Sequence, residues 1–434
     1  MGIVDLIIKK RQGEQLSAGE IADFVRGVSD GSWKDYQIAA MLMAMFIRGL
    51  DARETTDLTL AMAGSGDQFD LSRIPGIKVD KHSTGGVADT TTLIVLPLVA
   101  ACGAPVVKIS GRGLGFTGGT VDKLESIPGF RVNLSADEAI DVVLKSKAVI
   151  LSQTENLTPA DKKLYALRDV TGTIDSIPLI AASIMSKKIA SGADAIVLDV
   201  KCGSGAFMQD LESARQLART MVDIGHLAKR RVVAVISSMA QPLGQYVGNS
   251  LEVIEAIEVL KGNSRGDLLD VALVLGSQML QLAGIAVNDE TAGKILRESL
   301  NSGAALEKFR EIIRSQGGDD RIVDNYSLLP QPGFRCTWTA SASGFLSVMN
   351  TAEIGRAFVA AGGGRIAKED AIDYAAGFIF HHRLGDPVKE GEVLADIQAA
   401  TPEKAQAAIE MLQQAITIGS QPAEPEPVIL AILQ

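Results

Sequence analysis

Two glycine-rich segments hold most of the side chains that could bind an anion. The first is KHSTGG at residues 81–86, and the second is KISGRGLGFTGG at residues 108–119. Glycine lets the backbone approach a ligand closely, and free N–H groups at the start of a helix attract negative charge. Lysine adds a full positive charge, and the hydroxyl side chains add further donors. Together the segments predict a site that binds free phosphate or a sugar phosphate.

Neither segment has the spacing of a common nucleotide-binding motif. The Gly-x-x-x-x-Gly-Lys-Ser/Thr pattern of a P-loop is absent from both, and so is a dinucleotide-binding Gly-x-Gly-x-x-Gly in its usual place. A single segment of this kind would often be an ordinary turn. Two of them with lysine, serine and threonine favour a phosphate site over a site for ATP or NAD.

Polar residues at helical spacing form a third candidate group. Tyr165 and Arg168 are three positions apart, and Ser183 and Lys187 are four apart. Each pair would share one face of a helix. Apolar neighbours such as Ile180 surround them, and a polar base needs a few such groups inside an apolar slot. Ordinary surface polarity is the alternative that the spacing leaves open.

Short β-branched runs alternate with helical stretches from residue 77 onward. This alternation predicts βαβ units and a largely parallel sheet. Ligands bind at the carboxyl ends of the strands in such sheets, where both glycine-rich segments are expected to lie. Residues 87–102 are expected to form the helix after the first segment. The predicted strands are Ile77–Asp80, Val106–Ser110, Ala148–Ser152, Ala195–Val200 and Val232–Ser237.

The fold class predicted from this organisation is α/β, with more than one domain. Residues 1–65 are expected to form a small all-helical domain, onto which residues 163–192 pack rather than onto the sheet. Residues 70–162 and 193–332 are expected to form a large mixed α/β domain with a central, largely parallel sheet. The phosphate-binding segments belong to this larger domain.

Residues 333–434 predict a C-terminal α+β domain. A hairpin or turn is expected at residues 340–346, and a β-turn flanked by alternating residues at 385–394. The second turn resembles the barrel-sandwich turn of biotinyl and lipoyl domains. No lysine stands at its tip in the Met-Lys-Met context of those carriers, so its expected role is structural.

Composition narrows the expected partners. The chain has 434 residues and a net charge of −10, with 42 Lys and Arg against 52 Asp and Glu. Nucleic-acid binders usually show a basic excess, so no nucleic-acid partner is expected. The apolar stretch at 93–107 is interrupted by proline and glycine and is too short to span a bilayer. No signal peptide is expected, and three distant cysteines favour thiols in a reducing cytoplasm over disulfides or a zinc site.

The motifs together resemble those of the thymidine/pyrimidine-nucleoside phosphorylase family. The matching runs are KHSTGGV at 81–87, SGRGLGFTGGTVDKLE at 110–125, DKKLYALRDV at 161–170 and SIMSKK at 183–188. The resemblance covers essentially the whole chain. It implies the fold of the nucleoside phosphorylases and class II phosphoribosyltransferases, with a cleft between the helical and α/β domains that closes on its ligands.

The resemblance implies reversible phosphorolysis of uridine, thymidine and deoxyuridine. Inorganic phosphate is then the co-substrate, and the products are the free base and ribose or deoxyribose 1-phosphate. No organic cofactor is implied. Some members of the family hold a potassium ion, and a homodimer formed through the helical domain is implied as well.

The resemblance also assigns roles to residues of this chain. The catalytic positions are His82, Arg168 and Lys187, with His82 beside a carbonyl of the base. The phosphate-binding positions are Lys81, His82, Ser83, Thr92, Lys108, Ile109, Ser110 and Thr120. The base-binding positions are Tyr165, Arg168, Ser183 and Lys187. The potassium positions are Ala88, Thr90, Leu243, Tyr246 and Glu255.

Several residues depart from the family pattern or bear on substrate choice. Phe116 stands where histidine is expected, and Ala88 and Tyr246 differ from the expected side chains, although main-chain carbonyls could still bind the ion. Cys202 has no base beside it in the sequence that would make it a nucleophile. Lys108 is typical of the branch that accepts ribonucleosides as well as deoxyribonucleosides.

Two other functions fit part of the pattern. A phosphoribosyltransferase of the same fold would use a different glycine motif and magnesium-bound pyrophosphate, with acidic residues that are not found at matching positions. A nucleoside or phosphosugar sensor would bind its ligand without turnover. The full set of matching site residues disfavours both.

Overall fold

The structure is a computed structural model that describes residues 2–113, 115–365, 367, 370–424 and 426–434. Leu114, which belongs to the second glycine-rich segment, lies outside the described residues, as do Met1, Ile366, Lys368, Glu369 and Pro425. The helices, in chain order, are α1 (Ile3–Arg11), α2 (Ala18–Ser29), α3 (Asp35–Arg48), α4 (Ala52–Ala63), α5 (Thr91–Ala101), α6 (Thr120–Glu125), α7 (Ala136–Ser146), α8 (Pro159–Thr171), α9 (Ile177–Ala190), α10 (Leu211–Leu227), α11 (Asn249–Leu260), α12 (Asp267–Leu282), α13 (Asp289–Asn301), α14 (Ala304–Ser315), α15 (Thr351–Ala360) and α16 (Pro402–Ala415). The strands are β1 (Val79–Ser83), β2 (Val106–Ser110), β3 (Ala148–Ser152), β4 (Ala195–Cys202), β5 (Arg231–Ser238), β6 (Tyr246–Gly248), β7 (Phe334–Thr339), β8 (Gly344–Met349), β9 (Gly377–Phe380), β10 (Pro387–Val388), β11 (Val393–Ala399), β12 (Ile416–Gly419) and β13 (Ile429–Leu433).

The amino-terminal helices form a bundle around an apolar core. Helix α2 begins with a capping box, in which the side chains of Ser17 and Glu20 each accept a hydrogen bond from the other residue's backbone N–H. Helices α1 to α4 pack together with α8, and residues such as Phe24, Met41 and Leu164 fill the space between them. A segment from the middle of the chain thus completes the bundle.

Helix α9 lies between this bundle and the central sheet. Leu179 and Ala182 pack into the bundle core, whereas Ala181 and Met185 join a second apolar cluster with β4, β5 and α10. This differs from the expectation that residues 163–192 pack onto the helices rather than onto the sheet. The reason is that α9 has apolar residues on two different faces, and both faces are buried.

The central sheet has five parallel strands and one antiparallel strand at its edge. Its order is β13-β5-β4-β1-β2-β3, and only β13 runs antiparallel to its neighbour among the described residues. Strands β2 and β3 have the predicted bounds. The α/β fold class, with a helical domain and an antiparallel C-terminal part, is confirmed. The sequence analysis did not predict β13, which the end of the chain contributes.

Strand β1 covers residues 79–83, whereas 77–80 was predicted. Its charged side chains are buried and paired. Lys188 of α9 donates to Asp80 at 2.7 Å, and Lys81 donates to a threonine hydroxyl of α5 at 2.6 Å. Because the partner of Lys81 comes from a distant element, no local signal placed Lys81 in the strand. All three predicted loop residues before Thr84 are in the strand.

Helix α5 covers residues 91–101 instead of the predicted 87–102. Ala88 adopts a left-handed backbone conformation, with φ of 52°, which interrupts a right-handed helix. Residues 84–90 therefore form an irregular turn between β1 and α5. Although α5 is strongly apolar, no helix within the described ranges has both the length and the apolar character needed to cross a membrane.

The C-terminal domain contains two small antiparallel sheets and two helices. One sheet has the order β6-β9-β11-β7 and the other the order β10-β8-β12. Helices α15 and α16 share a core with both sheets, in which Phe358, Phe378 and Leu412 are buried. The segment 340–346 contains a turn but not a hairpin, because β7 and β8 belong to different sheets.

Candidate active site

A cavity of about 310 Å³ lies where the carboxyl ends of β1 and β2 face helices α8 and α9. This volume is within the range of small-molecule sites, which begins at roughly 300 Å³. The glycine-rich segments form the strand-side wall, and the two helices form the helix-side wall. The predicted residues on the strand-side wall are His82, Ser83, Thr92, Lys108, Ile109, Ser110 and Thr120. Those on the helix-side wall are Tyr165, Arg168, Ser183 and Lys187.

Lys81 is the predicted phosphate ligand that the structure does not bring to the cavity wall. Successive side chains of a strand point to opposite faces, so Lys81 and His82 diverge. Lys81 is fully buried, its Nζ donates to Thr91 Oγ1 at 2.6 Å, and it lies 3.3 Å from Asp199 Oδ2. Its ammonium group lies behind the wall.

A buried charge cluster stands behind the strand-side wall. Lys201 Nζ lies 2.8 Å from Asp199 Oδ2, which also faces Lys81, and 3.8 Å from Asp89 Oδ1. Burial alone would raise the pKa of Asp89, but Lys201, Lys81 and Lys123 hold that pKa well below its usual range. Asp89 is therefore a carboxylate at physiological pH. The lysines balance this negative charge, which would otherwise repel phosphate.

Ser83 and Asp89 connect the buried cluster to the cavity, because both line it. Ser83 Oγ donates to Asp89 Oδ2 at 2.5 Å and accepts from the Gly85 N–H at 3.2 Å. The sequence analysis missed Asp89, Asp199 and Lys201. A charged pair two positions apart inside the apolar strand β4 is the signal that could have revealed the last two.

Lys108 lies on the cavity wall with its ammonium group almost fully enclosed. Its Nζ donates to the backbone carbonyl of Lys81 at 2.7 Å, and the residue is 3% exposed. Burial and the neighbouring ammonium of Lys188 lower the pKa of Lys108 well below its usual range. An anion in the cavity would restore the charged form, so phosphate and Lys108 stabilise each other.

His82 faces the cavity among several lysines. Burial, together with the ammonium groups of Lys188 and Lys108, lowers the pKa of His82 well below its usual range. The ring is therefore neutral at physiological pH, with one nitrogen a donor and the other an acceptor. It can give a hydrogen bond to a ligand carbonyl, but it does not hold a proton ready for transfer.

Arg168 is held by the loop between α8 and α9. Its guanidinium donates to the carbonyls of Thr173 at 3.1 Å, Leu179 at 3.1 Å and Ile174 at 2.6 Å. A guanidinium has five N–H donors, so these bonds fix its plane and leave donors for a ligand. Its carbon lies 5.9 Å from the centre of the Tyr165 ring, which lines the same wall.

Lys187 lies beside Ser183 on the helix-side wall and pairs with Asp161 of α8. Its Nζ forms an ion pair with Asp161 and donates to the hydroxyl and the carbonyl of Ser183, both at 3.0 Å. The Asp161 side chain is only 3% exposed. Asp161 was not singled out from the sequence, although it opens the run that contains Tyr165 and Arg168. The pair presents one fixed ammonium group to the cavity.

Comparison with known proteins identifies the family. Residues 4–66 match the helical bundle domain of a glycosyl transferase family, 76–306 its a/b domain, and 345–419 the pyrimidine nucleoside phosphorylase C-terminal domain. Pyrimidine-nucleoside phosphorylases of Geobacillus stearothermophilus and Bacillus subtilis are 54% and 55% identical to the chain, over 92% of both chains in each case. That of Staphylococcus haemolyticus (strain JCSC1435) is 52% identical over 98% of both chains. The chain belongs to the pyrimidine-nucleoside phosphorylase family.

The phosphorylase fold extends to a more distant protein. The crystal structure of anthranilate phosphoribosyltransferase from Thermus thermophilus covers 72% of this chain and 99% of its own, with a TM-score of 0.58. Sequence identity is 20%, so the likeness concerns the fold alone. It agrees with the predicted class shared by phosphorylases and phosphoribosyltransferases.

The potassium positions expected for this phosphorylase family lie outside the cavity, around Glu255. The carbonyl of Ala88 accepts from the Gly244 N–H at 3.1 Å, and the carbonyl of Val87 accepts from the Leu243 N–H at 3.1 Å. Thr90 donates its hydroxyl to Glu252 at 2.8 Å, and Tyr246 lies in the adjoining strand β6. These contacts bring the turn before α5 against the turn before β6.

Only one of the two carboxyl oxygens of Glu255 has a hydrogen-bond partner among the described residues. Its Oε1 accepts from the Gln245 N–H at 2.6 Å, whereas its buried Oε2 has no hydrogen-bond partner among the described residues. Burial raises the pKa of Glu255 to about 8. At neutral pH this carboxyl group is therefore mainly protonated, and a monovalent cation beside its unpartnered Oε2 would favour the ionised form.

Two departures from the phosphorylase pattern lie near the cavity. Phe116 does not line it but packs on the C-terminal domain, where the Arg356 guanidinium carbon is 5.7 Å from its ring centre. Its ring centre is 6.4 Å from that of Phe207, a cavity residue that the sequence analysis missed. Burial raises the pKa of the Cys202 thiol, so that this cysteine is protonated at neutral pH.

Proposed function

We propose that the chain catalyses the reversible phosphorolysis of uridine, thymidine and deoxyuridine to the free base and ribose or deoxyribose 1-phosphate. The observation that carries this proposal is that one cavity holds both sets of donors. Phosphate donors lie on its strand-side wall, and Arg168, Ser183 and Lys187 lie opposite them. Relatives at 52–55% identity carry this activity in their names, which favours it over phosphoribosyl transfer or sensing.

Phosphate is held on the strand-side wall in this proposal. The hydroxyls of Ser110 and Thr120 supply donors, whereas the Ser83 hydroxyl donates to Asp89 and accepts from the Gly85 N–H. Thr92 lies in the first turn of α5, where helix N–H groups favour an anion. The buried lysines behind the wall add positive potential. Fixing phosphate in line with the sugar converts an encounter between two solutes into a step within one complex.

The base leaves toward the helix-side wall. Phosphate attacks the anomeric carbon from the face opposite the base, and the sugar gains oxocarbenium character, as in glycoside cleavage. Negative charge grows on the pyrimidine, where Arg168 and Lys187 provide fixed positive donors. The neutral His82 donates a hydrogen bond to a ring carbonyl rather than a proton.

An ultraviolet assay of uridine and thymidine, with and without phosphate in buffer containing EDTA, tests the proposed function. We expect release of uracil and thymine that requires phosphate and does not require a divalent metal. Dependence on magnesium and pyrophosphate would point instead to a phosphoribosyltransferase. Binding without release of base would point to a sensor.

Replacing Lys108 by methionine is expected to lower kcat/KM for uridine about tenfold more than for thymidine. Only uridine has the 2′-hydroxyl that Lys108 can bind, and a hydrogen bond to a charged group contributes roughly 1.5 kcal/mol or more. Parallel measurements on both nucleosides at saturating phosphate provide the comparison. Equal losses on the two substrates would remove the role in sugar selection.

A potassium ion beside Glu255 belongs to the same proposal. The residues that would hold it are Glu255 and the main chain or side chains of Ala88, Thr90, Leu243 and Tyr246. The unpartnered Glu255 Oε2 supports this assignment. When bound, the ion would supply positive charge that keeps the turn before α5 and the turn before β6 together, and none of the residues that would hold it lines the cavity.

Potassium is expected to raise the Tm by about 2 °C or more, relative to tetramethylammonium at equal ionic strength, because an ion that binds only the folded chain stabilises it. Glu255→Gln should abolish the difference. Glu258→Gln is the matched control, since Glu258 lies one turn further along α11 and is paired with Tyr326. A potassium effect that persists in Glu255→Gln would contradict the site.

A homodimer formed through the helical domain is also proposed. Its support is a group of exposed apolar side chains on α1 and α3, including Val4, Phe46 and Ile47, of which Ile47 is 69% exposed. Light scattering should give twice the 45.7 kDa chain mass for the parent and about one chain mass for Ile47→Glu. Val287→Glu, at a site 87% exposed in the α/β domain, should leave the mass unchanged.

We also place the enzyme in the cytoplasm, where its partners are small-molecule substrates rather than membranes or nucleic acids. The three free cysteines, Cys102, Cys202 and Cys336, support a reducing compartment. Activity measured after cell fractionation would test the location.

A further inference from the structure

The second glycine-rich segment folds back on itself where it lines the cavity. We call residues 111–113 and 115–119 the glycine loop. A Cβ placed on Gly119 would lie 2.0 Å from the Gly113 nitrogen, and one placed on Gly113 would lie 2.8 Å from the Gly119 nitrogen. The two arms of the loop are therefore in direct backbone contact. Thr117 and Gly118, between these arms, are on the strand-side wall.

Asp122, in helix α6, holds the folded loop. Its Oδ2 accepts from the Gly113 N–H at 2.7 Å, and its Oδ1 accepts from Arg112 at 3.3 Å. The Asp122 side chain is 4% exposed. A buried carboxylate needs partners for its charge. Because Gly113 and Arg112 are two of these partners, Asp122 fixes the position of the glycine loop.

The strongest partner of Asp122 comes from the C-terminal domain. Arg365 Nη1 donates to Asp122 Oδ1 at 2.8 Å, across 243 positions of the chain, and its side chain is 11% exposed. Arg112, by contrast, is 45% exposed and shares its guanidinium with Glu125. Arg365 thus supplies the better shielded positive charge, which screening by salt affects least.

A second contact brings the same domain against the loop. A Cβ on Gly355 of α15 would lie 2.2 Å from the carbonyl oxygen of Phe116. The helix can approach the loop backbone this closely only because glycine stands there. Arg365 and Gly355 therefore meet the glycine loop region from one domain, at two separate points.

We propose that Arg365 is a positioning residue for phosphate, acting through Asp122 on the glycine loop. It does not line the cavity and does not touch the ligand. Its guanidinium pairs with the Asp122 carboxylate and orients it toward the Gly113 N–H, and this fixes the loop that supplies donors to phosphate. The C-terminal domain is in this way part of the phosphate site. The inference depends on the proposed function for the identity of the ligand.

The test is Arg365→Gln, compared with the parent chain and with Arg335→Gln. Arg335 is an exposed arginine of β7 in the same domain, bonded to Gln331. We expect Arg365→Gln to raise the KM for phosphate about tenfold, since misplacement by a full 1 Å can cost about 100-fold. The KM for uridine should change less than twofold. Arg365→Lys should recover part of the phosphate affinity, and Arg335→Gln should behave like the parent.

Hydrogen exchange of the Gly113 amide gives a readout that does not depend on turnover. Its protection should fall in Arg365→Gln and not in Arg335→Gln, because Asp122 accepts from that N–H. A lowered Tm with an unchanged phosphate KM and unchanged Gly113 protection would overturn the proposal. So would equal rises in KM for phosphate and uridine. If the parent chain itself shows no phosphate-dependent cleavage, the proposed function fails, and the exchange result still decides whether Arg365 orders the loop.

Discussion

Lys187→Met is expected to lower kcat for uridine phosphorolysis roughly 100- to 1,000-fold, the usual cost of removing one fixed donor from developing negative charge. The ammonium of Lys187 is fixed on the cavity wall by Asp161 and Ser183, opposite the phosphate donors. Methionine keeps most of the length and volume of the side chain but has no charge. Steady-state rates at saturating uridine and phosphate measure the effect, which should fall on kcat more than on the KM for phosphate.

The controls for this variant separate chemistry from stability. Lys187→Met leaves Asp161 buried without its cation, which is itself destabilising. The double variant Asp161→Asn with Lys187→Met removes that charge, so its Tm should recover while its kcat stays low. Lys162→Met, at an exposed lysine of the same helix as Asp161 that is paired with Glu155, should leave kcat unchanged. Recovery of kcat in the double variant would contradict a direct role for Lys187.

Gly119→Ala is expected to lower kcat/KM for phosphate by about 100-fold, because it displaces a loop that must be placed to within a fraction of an ångström. The φ of Gly119 is −103°, which alanine adopts readily, so the effect is steric. The added methyl group would meet the Gly113 nitrogen at 2.0 Å and Asp122 Oδ2 at 2.6 Å. Neither is the flexible end of a long side chain.

Gly19→Ala is the matched control for this substitution. Gly19 lies in helix α2, a methyl group added there would have no atom within 4 Å, and alanine is the better helix former. Its kinetic constants should equal those of the parent chain. Isothermal titration calorimetry with inorganic phosphate should show weaker binding for Gly119→Ala than for the parent chain or Gly19→Ala. Binding as tight as that of the parent would show that the glycine loop is not a phosphate-binding element.

The parts of the fold that local pattern determines were predicted well. Strands β2 and β3 are short apolar runs with clear turn signals at both ends, and their bounds agree with the structure. The capping box of Ser17 and Glu20 is equally local, since all its atoms lie within four residues. In such segments the sequence within a few positions contains the interactions that fix the conformation.

Interactions between distant elements explain the errors. Lys81 continues β1 because α5 provides a partner for its charge, and no residue near the strand in the sequence indicates that partner. Alternation along the strand then turns Lys81 away from the cavity. Strand β13 was missed because its pairing partner, β5, is nearly 200 residues away in the sequence.

The residues of the candidate site also divide into those with a local sequence signal and those that depend on distant contacts. Hydroxyls and lysines of the glycine-rich motifs were identified from their residue types, whereas Asp161 and Asp89 were not. Each of these two carboxylates pairs with a lysine that is close to it only in the folded chain. Arg365, distant in sequence from every motif, had no local signal at all.

The return of the chain to the central sheet has a thermodynamic consequence for the C-terminal domain. The domain leaves the α/β domain before β7 and rejoins it through β13, which pairs with β5. Anchorage at both ends keeps Arg365 at a high effective concentration near Asp122, a quantity that reaches roughly millimolar values even for a flexible tether. Docking therefore costs little entropy, and the ion pair between Arg365 and Asp122 acts together with other contacts between the domains, such as those of Tyr374 with Glu125 and of Arg383 with the carbonyls of residues 242–244.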